Sequence, residues 1–335
     1  MNETFANFHL HILNHSMFKW KKEGSIFNPI VLQGKNWMYE YAQAPSAVIF
    51  PEFLRVFFAS RPAPENGLYV SRMAFIDLDR SNLFKVVNIC KQPILELGRK
   101  GTFDEFGTYP ISVAIDGEQI RAYYAGWTRC ESVPFNAAIG LAISNDGGES
   151  FHRLGEGPVL SYTPDEPFVI GSPKVRKFND KWYLWYSAGK KWVANNGQHQ
   201  PIYKIRMAVS DDGVNWEKQN RDLIADVLES NECQASADVF FYRGKYHMFF
   251  SYRYNLDFRS PGRGYKIGYA SSTDLLNWKR EDNRAGITMS EYGWDSESVS
   301  YPFVFVLDEK VIMLYQGNEI GRNGFGFATL DDYTE

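Results

Sequence analysis

Five times along the chain a short aromatic-rich segment returns at nearly constant spacing: Arg55-Val-Phe-Phe-Ala, Arg121-Ala-Tyr-Tyr-Ala, Trp182-Tyr-Leu-Trp-Tyr, Tyr246-His-Met-Phe-Phe and Val311-Ile-Met-Leu-Tyr. Aligning Phe58, Tyr124, Tyr186, Phe250 and Tyr315 gives intervals of 66, 62, 64 and 65 residues. A unit of a few short strands cannot bury its apolar face alone, so a repeat of this kind must stack on its own copies as a solenoid or a propeller.

Each copy follows one grammar. A first strand starts at Ala44-Pro45, Tyr109-Pro110, Ser172-Pro173, Ser236-Ala237 and Tyr301-Pro302, and Pro is tolerated there because no ladder donor is lost. Third strands recur as Ile139-Gly-Leu-Ala, Ile205-Arg-Met-Ala, Ile267-Gly-Tyr-Ala and Phe325-Gly-Phe-Ala. Turns follow at Ser144 to Phe151, Ser210 to Trp216 and Ser272 to Trp278, where Asp, Asn and Gly supply the local hydrogen bonds and positive φ of a tight reversal. The last copy ends without a fourth strand, while Phe18-Lys-Trp20-Lys-Lys resembles Asn277-Trp278-Lys-Arg. The pattern predicts an all-β, five-bladed β-propeller of four-stranded antiparallel blades, a single domain over residues 1–335. The blades fall roughly at 37–98, 99–162, 163–228, 229–290 and 291–335 plus 17–22, the N-terminal strand closing the ring and removing exposed sheet edges.

Aromatic content of 16%, mostly Tyr and Phe, suits strands and sugar-facing surfaces. A net charge of -4 gives no support for a nucleic-acid or anionic-membrane partner. The N-terminus lacks a basic segment followed by an apolar core, and no later run approaches a membrane span, so a cytoplasmic protein is expected. Cys90, Cys130 and Cys233 are scattered, and the six His show no metal-ligand spacing, so neither a disulfide framework, a metal nor a cofactor is expected, and a structural calcium is not indicated. A small molecule or oligosaccharide is the expected partner, with the oligomeric state open.

In a propeller the residues before each first strand ring one mouth of the axis. Counting five back from Pro45, Pro110, Pro173, Ala237 and Pro302 gives Glu40, Glu105, Phe168, Glu232 and Glu297. Converging carboxylates push one another's pKa values apart, which makes one an acid and another a base. Glu232 is the preferred acid, Glu105 or Glu297 its partner, with Asp104 and Asp295 tuning them. The alternative is an ancestral turn cap copied into every blade. Arg253 and Arg259, in the long loop of the fourth blade, are placed to grip an anionic group. Lys174 on an inner strand needs a glutamate or an anionic ligand. Tyr301 lines the funnel, and Trp127 and Trp192 either stack on a sugar or wall neighbouring blades.

The Pro-initiated inner strands, the second strands YLWYSAG and YHMFFSYR, the AVSDDGVNW turn and the segments FDEFGTYP and GWDSESVSYP resemble the five-bladed propeller glycosidases of families 43, 32, 62 and 68. They are also similar to the mannoside phosphorylases of family 130. The resemblance covers nearly the whole chain from about Trp20. It implies a carbohydrate-active enzyme that cleaves or transfers a glycosidic linkage with paired carboxylates at the axial funnel. Two acidic places of the family 43 pattern read Ala44 and Ser172 here, and Glu232 lies in roughly the blade that carries the acid. A phosphorylase, needing one acid and a cationic phosphate pocket, and a carbohydrate-binding propeller without catalysis remain alternatives. Ser144 to Phe151 is similar to the Asp-box of sialidases, a structural turn that does not name a reaction.

Overall fold

The computed structural model describes residues 18–32, 36–195, 197–228 and 231–334. Over these residues the repeats form five antiparallel sheets of four strands. Strand β1 (Phe18–Phe27) comes first in the chain. Blade 1 is β2 (Glu40–Ile49), β3 (Phe53–Arg61), β4 (Arg72–Asp79) and β5 (Asn82–Ile89). Blade 2 is β6 (Gly107–Asp116), β7 (Gln119–Arg129), β8 (Phe135–Ser144) and β9 (His152–Arg153). Blade 3 is β10 (Phe168–Phe178), β11 (Lys181–Asn195), β12 (Gln198–Ser210) and β13 (Glu217–Lys218). Blade 4 is β14 (Cys233–Tyr242), β15 (Lys245–Arg253), β16 (Lys266–Ser272) and β17 (Lys279–Arg280). Blade 5 is β18 (Ser300–Leu307), β19 (Lys310–Gln316) and β20 (Phe325–Tyr333), with β1 hydrogen-bonded outside β20.

The ring therefore closes as the sequence predicts, through a strand that runs on to Phe27; Met17 and the residues before it lie outside those described. Aromatic packing fixes the closure. Phe18 is fully buried and meets Tyr333 of its own blade at 4.8 Å and Phe249 of blade 4 at 5.1 Å between ring centroids. Trp20 Nε1 donates to the Ala285 carbonyl at 3.0 Å, so β1 is held by two blades at once.

Every inner strand carries a bulge near its start, where the register slips between Gln43 and Ser46, Thr108 and Ile111, Gly171 and Lys174, Ala235 and Asp238, and Ser300 and Phe303. Ala44, Ser172, Ser236 and Tyr301 sit at the bulges with φ of 53°, 48°, 53° and 53°. A bulge bends its strand and re-aims a side chain. Beyond it, Ser46, Ser112, Lys174, Asp238 and Phe303 are equivalent, each opposite the residue preceding the repeated aromatic. Blade 2 is thus displaced by one residue from an alignment on its proline. Ser46 Oγ accepts from Val113 N at 3.1 Å, Ser112 Oγ from Val175 N at 3.0 Å and Asp238 Oδ2 from Val304 N at 2.6 Å, each bond joining one blade to the next.

Candidate functional site

Blades 2 to 5 each enclose one carboxylate from the segment leading into the inner strand. Asp104 accepts from the Tyr124 hydroxyl at 2.9 Å and Arg153 Nε at 2.7 Å. Glu166 accepts from the Tyr186 hydroxyl and Arg206 Nη1, both at 2.9 Å, and from Lys218 Nζ. Asp295 accepts from the Tyr315 hydroxyl at 2.9 Å and Lys22 Nζ at 2.7 Å. Glu232 accepts from Arg280 Nη1 at 2.7 Å, Gln234 Nε2 at 2.9 Å and the Val227 and Leu228 amides at 3.0 Å. Arg153, Lys218, Arg280 and Lys22 all come from outer strands, so the carboxylate clasps the rim of its blade to the approach to its inner strand. Burial, with the adjacent carboxylate, raises the Tyr124, Tyr186 and Tyr315 phenols well above their usual range and keeps them donors.

This arrangement is what a buried charge requires, since an enclosed carboxylate is tolerated only when paired and hydrogen-bonded. Glu232 and Asp104 are 0% exposed and Asp295 is 2%. Both Glu232 oxygens are taken, so a glycosidic oxygen has no approach to them without opening the clasp.

The axis itself is lined differently. Tyr109 of blade 2 and Tyr301 of blade 5 stack at 6.1 Å, and because those blades are not neighbours in the ring, the pair spans the axis. Tyr301 meets Tyr265 edge-on at 6.0 Å, and the Tyr265 and Tyr203 hydroxyls lie 2.6 Å apart. Arg253 donates from Nη2 to the Tyr203 hydroxyl at 3.0 Å and lies 3.9 Å over Phe258. Arg61 lies over Tyr41, Tyr69 and Tyr109 at 4.4, 5.2 and 5.7 Å. Among the described residues neither arginine meets a carboxylate, and the Nε of each is buried without an acceptor. At the edge of this mouth Glu40 is 2% exposed. Its Oε2 accepts from Arg322 Nε at 2.8 Å, Oε1 is buried, and the Tyr69 phenol, raised by burial and by its hydrogen bond to Glu40, stands against the carboxylate.

The other predicted residues fall at varied distances from this mouth. Glu105 is half-buried and accepts from the Gly101 amide at 2.8 Å. Glu297 is exposed, with its backbone N–H on Asn318 Oδ1 at 2.7 Å. Its carbonyl faces Gly264 closely enough that a Cβ there would come within 3.2 Å, which places Glu297 next to the Tyr265 segment. Trp127 donates from Nε1 to Ser71 Oγ at 2.9 Å and walls blades 1 and 2. Trp192 packs edge-on against Phe135 at 5.6 Å, across blades 2 and 3. Arg259 is exposed over Phe258 at 4.4 Å. Lys174 is buried in the axial layer below Tyr301.

The structure thus joins Arg253 to Tyr301 through Tyr265, and keeps Glu232 within its own blade. Sequence reading passed over Arg61, Tyr109, Tyr203 and Tyr265. Arg61 carried a usable signal, standing three residues past Phe58 as Arg253 stands three past Phe250. Among the described residues no group of three or more His, Cys, Asp or Glu is placed to hold a metal ion, and no helix is long and apolar enough to cross a membrane.

No protein-family model matches the chain. It is 31% identical over 318 residues to the uncharacterized proteins Rv1502 and MT1551 of Mycobacterium tuberculosis, covering 93% of this chain and 99% of each relative. It is 22% identical over 178 residues to the β-1,2-mannobiose phosphorylase of Thermoanaerobacter sp. (strain X514), covering 50% of this chain and 54% of that protein. Among solved structures, a glycoside hydrolase superposes with a TM-score of 0.73 at 16% identity, over 93% of this chain and 92% of that one. A structure from the family 130 mannoside phosphorylases, a family said to contain hydrolases that target β-1,2 mannosidic linkages in Candida mannan, gives 0.69 at 13% identity, over 98% and 96%. A thermostable family 43 glycoside hydrolase gives 0.65 at 15% identity, over 89% and 90%. At these identities the likeness is one of fold: the chain has the five-bladed propeller of the glycosidases and phosphorylases.

Proposed function

This chain belongs to the family of the Mycobacterium tuberculosis proteins Rv1502 and MT1551, and we propose that it cleaves or transfers a glycosidic linkage at its axial mouth. The observation that carries this reading is the concentration of tyrosine rings about the axis, with Arg61 and Arg253 against them and free of carboxylates, and with Glu40 at the Arg61 side. Tyrosine offers an apolar face to a sugar ring and a hydroxyl to its polar edge. Arg61 supplies donors for an anionic group, while Arg253 has Nη1 committed to the Tyr254 and Asn255 carbonyls and Nη2 to Tyr203, and adds positive charge and its Nε. Glu40, held by Arg322 on one oxygen and standing against the Tyr69 phenol, is the carboxyl we assign to proton transfer at the leaving oxygen. Glu105 and Glu297 are the remaining candidates for a second carboxylate. In place of Glu232, they and Glu40 form the proposed catalytic set.

One acid beside a cationic pocket is also the complement of phosphorolysis, in which phosphate attacks where a second carboxylate would otherwise activate water. Two arginines that meet no carboxylate among the described residues favour that reading over simple hydrolysis. We place the reaction in the cytoplasm, on sugar precursors or imported oligosaccharides. A panel of aryl glycosides and sugar phosphates, assayed with and without inorganic phosphate, tests the assignment. Turnover is expected in wild type, and Glu40→Gln is expected to lower kcat by about 10²- to 10⁴-fold while the chain stays folded, since its partner Arg322 is 42% exposed. Stimulation by phosphate selects phosphorolysis. Sugar binding without turnover across the panel would leave a carbohydrate-binding propeller and refute the enzyme.

A further inference from the structure

Below the tyrosines, the axial layer of Ser46, Ser112, Lys174, Asp238 and Phe303 departs from its own pattern at two positions, the apolar Phe303 and the cationic Lys174. Ser46, Ser112 and Asp238 each accept an amide from the next blade. Lysine has three donors and no acceptor and cannot do so. Lys174 is 1% exposed, its Nζ has no hydrogen-bond partner among the described residues, and it lies 5.1 Å over the Phe303 ring. Blades 3 and 5 are not neighbours, so this side chain reaches across the axis.

The nearby carboxylate is already engaged. Arg176 Nη2 donates to both Asp238 oxygens at 2.8 Å and to the Val304 carbonyl at 2.7 Å. Asp238 Oδ2 also accepts from Val304 N. Two cations therefore face one carboxylate, and Arg176 Nε is likewise buried without an acceptor. Burial holds the Lys174 ammonium down to about 8, with Asp238 opposing the shift and Arg176 adding to it. A protonated Lys174 gives the layer an excess of one positive charge in a place where an unpaired charge is strongly disfavoured. The stacked Tyr109 and Tyr301 separate it from the mouth, whereas the Arg176 side chain, 22% exposed, leads toward the opposite end.

We propose that this axial layer binds one small monovalent anion of halide size between Lys174 Nζ and Arg176 Nε. The site is separate from the proposed reaction at the mouth and stands without it. It is tested by thermal unfolding of the full chain at constant ionic strength, exchanging gluconate for chloride or bromide. Crystals grown in bromide provide the second arm. The expected result is a saturating rise in Tm of about 2 °C for wild type that Lys174→Met abolishes. A bromide anomalous peak is expected within hydrogen-bonding distance of Lys174 Nζ. An equal halide response in Lys174→Met, or none in wild type, overturns the proposal. If the variant does not fold, the wild-type crystals decide alone, and absence of the axial peak overturns it.

Discussion

Glu232 shows how far a residue's role depends on partners distant in sequence. The count of five back from each inner-strand start identifies four glutamates, yet the partner that fixes Glu232 is Arg280, 48 residues away on the outermost strand of the blade. The same count meets Phe168 in blade 3 and misses Glu166, which makes the same clasp two positions earlier. What repeats is a buried carboxylate with a cation from the rim, and it tolerates a shift of one or two residues because the approach segments differ in length. Removing the Glu232 charge leaves Arg280 paired with Asp282 at 2.8 Å but costs its charged hydrogen bonds to Glu232, about 1–3 kcal/mol. Glu232→Gln is therefore expected to lower the midpoint of denaturant unfolding while leaving kcat of the folded fraction unchanged. A large loss of kcat at unchanged stability would return Glu232 to the chemistry.

At the scale of the element, turns and strands were legible because their signals are local. The Ser144 to Phe151 turn folds as its residues require: Asp146 Oδ1 accepts from Ser144 Oγ at 2.6 Å and the Ser150 amide at 3.1 Å. Burial opposes ionisation of Asp146, but the bonds from Ser144 and Ser150 outweigh it and hold the carboxyl at about 2. A carboxyl depressed in the folded state stabilises above its unfolded pKa, here near 3.8, and loses that contribution as pH falls through the folded value. The melting temperature of wild type relative to Asp146→Asn should thus fall between about pH 4 and pH 2 and stay constant from pH 5 to 7. A constant difference throughout would show that the turn does not depend on the ionised carboxylate. The inner-strand bulges were less legible, because the signal read from the sequence was the proline, and in blade 2 the proline stands one residue out of register with the others.

Across the whole molecule, the repeat made the ring and its closure readable before any contact was known. Deleting residues 1–24 removes most of β1, exposes the edge of β20 and uncovers Phe249 and Tyr269, so cooperative unfolding should be lost. An unchanged calorimetric transition in the truncated chain would contradict that closure. The mouth was harder to read, since Tyr109 on Tyr301 joins blades 2 and 5 across the axis, a contact with no periodic trace in the sequence. The central claim is that the axial mouth beside Glu40, and no clasp inside a blade, performs the reaction. It is tested most directly by comparing Glu40→Gln and Glu232→Gln on one glycoside that wild type turns over, with kcat and the unfolding midpoint measured for each. Glu40→Gln is predicted to lose turnover while remaining folded, and Glu232→Gln to lose stability while keeping its turnover. The reverse pairing would contradict it.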